Sequence, residues 1–146
     1  MRFNQFVTAF VAFLIVNGGA ALAWEEPSRG SKTRKQLMDA LRPHAIWVLG
    51  GKVQFVVNDL RRDGNLAFAS VDPQRPGGSP INLHQTPGAQ RGELDPDFMD
   101  GPTMQALFQK SGETWVAVHW AIGATDVWYS WGPYCAVWHP VTPDVC

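Results

Sequence analysis

The stretch from Pro73 to Gly101 limits most strongly what this chain can build. Prolines at 73, 76, 80, 87 and 96 and glycines at 77, 78, 88, 92 and 101 interrupt it throughout. Proline removes a backbone donor and glycine raises the entropy cost of ordering, so no long helix or strand runs through such a segment. A short edge strand fits at Ile81–His84. Loops this long are uncommon in compact domains and are often functional or disordered, and this one is the best place to look for a partner surface. Acidic Glu93, Asp95, Asp97 and Asp100 crowd its second half, which reads as solvated loop.

Regular structure belongs on either side of this stretch. Upstream, Leu37, Leu41, Ala45 and Val48 recur at helical spacing, with Met38 and Leu49 beside them. Thr33 and Gln36 fit a capping box, and Ser31 competes as the cap. Pro43 predicts a kink or a second helical segment, and Gly50-Gly51 a stop. Lys52–Leu60 alternates Val53, Phe55 and Val57 against Gln54, Val56 and Asn58. Asp63-Gly64 marks a hairpin turn, and Asn65–Asp72 returns as its second strand.

Downstream, Pro102–Lys110 reads as a short helix with Met104, Leu107 and Phe108 turned inward and proline in its first turn. Glu113–Ile122 is the clearest strand. Its Val116, Val118, Trp120 and Ile122 share one face, with Trp120 expected in the core; Trp115, Ala117, His119 and Ala121 share the other. Thr125-Asp126 predicts a capped helical turn carrying Val127, Trp128 and Trp131, and the chain through Trp138 is expected to be extended. These readings combine into an α+β fold. An N-terminal helix packs on a curved antiparallel sheet of about four strands, with a long Pro/Gly-rich loop and a short second helix.

The first residues have the pattern of a cleaved signal peptide. Arg2 supplies a positive charge, Phe6–Val16 an apolar run, Asn17-Gly18-Gly19 a break, and Ala21-Leu22-Ala23 small residues ahead of Trp24. A membrane-spanning helix needs about 20 apolar residues, and this run falls short. Cleavage near Ala23 leaves residues 24–146 as one domain, periplasmic or secreted, with no stable membrane insertion. Removing Arg2 from the 12 basic residues, against 13 acidic ones, makes the remainder slightly negative. Nucleic acid would call for a basic excess, so it is not an expected partner. Cys135 and Cys146 are an even pair, and in an oxidising compartment they are expected to form a disulfide. Closing a loop of that size restricts the unfolded chain by roughly 3 kcal/mol.

Leu41-Arg42-Pro43, Gly50–Val57, Ala67-Phe68, Pro73–Gly78, Asp100–Phe108, Trp115-Val116 and Thr125–Trp131 together resemble small exported bacterial α+β proteins of unassigned function. The order of elements also looks like the cystatin or nuclear-transport-factor-2-like layout, a helix laid over a curved antiparallel sheet. That layout hosts enzymes, inhibitors and ligand carriers alike, so the resemblance implies a fold and leaves the activity open. The Cys-bracketed tail departs from the pattern.

Candidate functional residues follow from chemistry. His119, in the strongest strand, is the candidate general base, with Asp126 across a turn to orient it; a satisfied, half-buried histidine is the competing reading. Trp128, Trp131 and Trp138 exceed what so small a core absorbs easily, and they are candidates for a binding face. Arg75, framed by prolines and Gly77-Gly78, is a candidate anion contact, or else pairs within the fold, with Asp72 for instance. A metal site from Cys135, His139 and Cys146 competes poorly with their pairing, and no metal or cofactor is expected. No nucleophile elbow, phosphate loop or zinc-protease helix occurs. The leading expectation is an exported, non-enzymatic binding protein that uses the long loop and the C-terminal aromatic end to hold an unknown protein or small-molecule ligand of the cell envelope. A small enzyme using His119 and Asp126 is one alternative, and an inhibitor or immunity-type protein that binds another protein is the other.

Overall fold

Helix α1 occupies Lys32–Leu49. The computed structural model describes residues 24–146, and the expected leader, residues 1–23, lies outside the described residues. Of the two competing caps Ser31 is the one used: its side chain accepts from the Arg34 N–H, satisfying a donor that has no helical partner. The helix runs through Pro43 as a single element. Proline cannot donate to the Asp39 carbonyl, but both residues are exposed. Leu37, Met38, Leu41, Ala45, Val48 and Leu49 are buried, the stripe read from the spacing.

Four strands form one open antiparallel sheet in the order β1-β2-β3-β4: β1 Gln54–Asp63, β2 Leu66–Gln74, β3 Met104–Ser111 and β4 Thr114–Ile122. The α+β architecture of a helix over an antiparallel sheet is therefore as expected. Segment 102–110 corrects one expectation, because it is strand β3 and no helix. Met104, Ala106 and Phe108 alternate onto the α1 side while Leu107 is buried on the opposite side, and both faces being covered blurs the period-two signal. Ile81–His84 forms no strand; a single 3-10 turn, Leu83–Gln85, lies there instead.

Each outer strand carries one extra residue. In β1 the register passes from Val57↔Val71 to Asp59↔Ser70, so Asn58 bulges; in β4 it passes from Ala117↔Phe108 to His119↔Leu107, so Val118 bulges. Because side chains alternate with a period of two, an inserted residue transposes every one beyond it to the other face. Trp115 and Ala117 thus face α1 before the bulge, and Trp120 and Ile122 after it. The expected grouping of Val116 and Val118 with Trp120 fails for this reason: both valines are exposed, Trp115 takes the core position, and Trp120 packs at the core's margin.

The opposite sheet face is covered by the C-terminal segment. Past a 3-10 turn at Trp128–Ser130 comes helix α3, Gly132–Trp138, where an extended chain was expected. Pro133 lies in its first turn, where a missing N–H does no harm. Trp138 and Val141 pack with Phe68 and Leu107 in a second cluster. Arg61 ties the tail down by pairing with Asp59 and Asp144 while lying 4.9 Å from the Trp24 ring centroid. The Cys135 and Cys146 sulfurs are 2.06 Å apart, a bonded pair.

Candidate functional site

The last four carbonyls of a helix lack helical donors and must find others. At α1 the long loop supplies them. Arg75 donates to the carbonyls of Leu49 (2.9 Å), Gly50 and Lys52 (3.2 Å), and Arg91 donates to that of Trp47 (2.9 Å). Two arginines therefore stitch the Pro/Gly-rich segment to the end of α1 and order it. Between them lies the short helix α2, Pro87–Gln90, capped by buried Thr86, whose hydroxyl accepts from the Ala89 N–H and donates to the Leu83 carbonyl. Gly88 sits directly on α1: a Cβ there would lie 2.7 Å from Val48 Cγ1 and 2.9 Å from the Val48 carbonyl oxygen. The Gly88 carbonyl accepts from the N–H groups of Glu93 and Leu94, turning the chain back along the helix.

This arrangement leaves an open cleft of about 500 Å³ between the end of α1, the 86–94 turn and the end of β4. Trp47, Val48, Glu93, Leu94, Trp120, Ala121 and Ile122 line it. The volume lies in the range of small-molecule sites, about 300–1,000 Å³. Trp47 is 63% exposed, and the Arg91 guanidinium lies 4.5 Å from its ring centroid. Arg91 is in turn held by Glu93 through two bonds, Nε to Oε1 at 2.7 Å and Nη2 to Oε2 at 2.8 Å. That pairing holds the Glu93 carboxyl below the usual carboxylate range. Trp120 is backed by the His44 ring, stacked at 5.0 Å with 29° between planes, and burial pushes the His44 imidazole down. Each indole is thus held from behind by a residue of its own chain.

The residues singled out from sequence lie elsewhere. Arg75 is engaged at the helix terminus, and among the described residues no ion pair joins it to Asp72, which accepts from the Thr103 hydroxyl. Trp138 is 4% exposed and donates its indole N–H to the Phe108 carbonyl. Trp128 is partly buried beside it, bonding Gln105 at 3.4 Å. Trp131 is 60% exposed and meets Tyr134 edge-on. His119 lies against Tyr134 at 4.3 Å and Trp138 at 5.4 Å; Asp126 is exposed, and no ion pair joins the two among the described residues. No group of three His, Cys, Asp or Glu side chains among the described residues is placed to hold a metal ion.

Sequence reasoning missed Trp47 and placed Trp120 in the core. One signal for Trp47 was present: it lies off the apolar stripe of α1, where a large exposed indole is unusual. Compared with protein-family models, curated proteins and solved structures, the chain matches none.

Proposed function

We propose that this chain is an exported, non-catalytic binding protein whose ligand seats in the Trp47–Trp120 cleft. The observation that carries the reading is that both indoles lining the cleft already rest against a neighbour, Trp47 against Arg91 at 4.5 Å and Trp120 against His44 at 5.0 Å. Aromatic surface already packed against a neighbour loses less freedom on binding, and a tryptophan so exposed adds little to a core that would explain it. Export to the periplasm or beyond the cell, with cleavage near Ala23, is part of the proposal. The bonded cysteine pair is compatible with it, as is the lack, among the described residues, of any helix long and apolar enough to cross a membrane.

The test is native mass spectrometry of protein recovered from the oxidising side of the membrane of an expressing cell. The proposal expects a chain beginning at Trp24 that carries a small molecule absent from Trp47→Ala and Trp120→Ala. Retention of Met1, or the same small molecule on all three proteins, would count against it.

A protein-binding surface is the second reading. Trp131, Val127 and Val137 are each exposed on the C-terminal cover, which suits the inhibitor or immunity-type alternative. The enzymatic alternative draws less support, since His119 lies against two aromatic rings and no ion pair joins it to Asp126 among the described residues.

A further inference from the structure

The cleft's lining also discriminates among ligand chemistries. Resting on the binding reading above, we infer that the ligand is a neutral molecule with a flat hydrocarbon body and one hydroxyl, a phenol-like or hydroxylated polycyclic compound. Trp47, Val48, Leu94, Trp120, Ala121 and Ile122 make the lining apolar, and Glu93 is its one ionisable side chain.

Charge argues for neutrality. Both Glu93 oxygens are bound by Arg91, so the pair presents almost no net charge to the cleft. A cationic ligand would compete with a guanidinium already in place, and an anionic one would meet the carboxylate. Hydrogen-bonding capacity argues against a saccharide. A sugar ring would bring several hydroxyls to a wall of hydrocarbon, where each unpaired one is penalised. A single hydroxyl is accommodated, because a carboxylate oxygen retains a free lone pair beside its bond to Arg91.

Shape argues for a planar body. One face of Trp47 is covered by Arg91 and one face of Trp120 by His44, and both indoles still contribute to the cleft wall. Aromatic rings stack on such faces in offset or edge-on geometry and gain more than their buried area supplies, a gain closed to a flexible alkyl chain that must also lose torsional freedom.

The experiment titrates the full mature domain with β-naphthol, octanol and chitotriose, reading affinity by calorimetry and position by the indole N–H signals of Trp47 and Trp120 in NMR spectra. β-Naphthol is expected to bind about tenfold more tightly than octanol, to shift both signals, and to weaken about tenfold in Trp47→Leu, which keeps apolar bulk but loses the flat face. Trp131→Ala, on the other side of the sheet, is expected to bind as the parent does. Octanol or chitotriose binding as tightly as β-naphthol while moving the same two signals would overturn the ligand class and leave the cleft reading standing. Failure of all three probes to move either signal would overturn both. Should Trp47→Leu misfold by far-ultraviolet circular dichroism, Leu94→Ala replaces it, with the same weakening expected and unchanged affinity again refuting.

Discussion

Gly88→Ala puts the seating of the loop on α1 to a quantitative test. Gly88 carries no left-handed backbone conformation, so alanine is locally acceptable and would by itself stabilise by about 0.4–1 kcal/mol through the unfolded chain. The added methyl, however, would lie 2.7 Å from Val48 Cγ1 and 2.9 Å from the Val48 carbonyl oxygen. A valine rotamer can relieve the first contact. The second is with helix backbone, and relieving it requires α2 to lift away from α1. Forcing a methyl into closely packed surroundings costs about 1–3 kcal/mol, so the net expectation is a loss of roughly 1–2 kcal/mol. With a urea dependence of about 2 kcal/mol/M, the middle of the range for a small domain, the unfolding midpoint should fall by about 0.5–1 M at unchanged slope. Because Val48, Glu93 and Leu94 line the cleft, β-naphthol affinity should fall with it. A variant as stable as the parent would refute the claim that Gly88 is required for this close approach.

Other perturbations separate structural roles from binding roles. Replacing Cys135 and Cys146 by serine should destabilise by about 3 kcal/mol, since the bond spans 11 positions, and denaturant titration with and without reductant checks it. Arg75→Ala removes donors from the Leu49, Gly50 and Lys52 carbonyls and should cost about 1–3 kcal/mol in urea unfolding. Lowering pH should destabilise the domain twice. Burial lowers the His44 pKa in the fold, so the unfolded chain takes up protons first and stability falls as pH drops below about 6.5. Arg61 holds the Asp144 carboxyl below its ordinary value, so its share is present above about 3.9 and is lost as pH falls further. Thermal melts across pH, with His44→Gln flattening only the upper step, test both signs.

How much of this was legible without coordinates follows from which physics each element obeys. The α1 stripe, its stop and the first hairpin are encoded locally, by spacing and by Asp63-Gly64, and the structure keeps them. Strand β3 was misread because Met104, Leu107 and Phe108 stand at helical offsets, and only pairing with β2 and β4 on both sides makes it a strand. The bulges at Asn58 and Val118 have no local signature, because an extra residue is defined by its partner strand. That is why Trp120 was placed with the wrong neighbours. The cleft was less legible still. Trp47 and Trp120 come from distant parts of the sequence, and the Arg91–Glu93 pair that frames them lies in the long loop, which the sequence marks as a candidate partner surface without indicating what it packs against.

An open sheet leaves two borders of unsatisfied amide groups, which invite growth by recruiting strands from other molecules. Here both borders are the irregular ones: Asn58 interrupts β1 and Val118 interrupts β4, and Glu25 further occupies β1 by bridging to Arg62. Neither offers an unbroken run of donors and acceptors in step with another chain. The same two residues that shift which side chains of each outer strand face the helix also make that strand a poor template for a strand from another molecule.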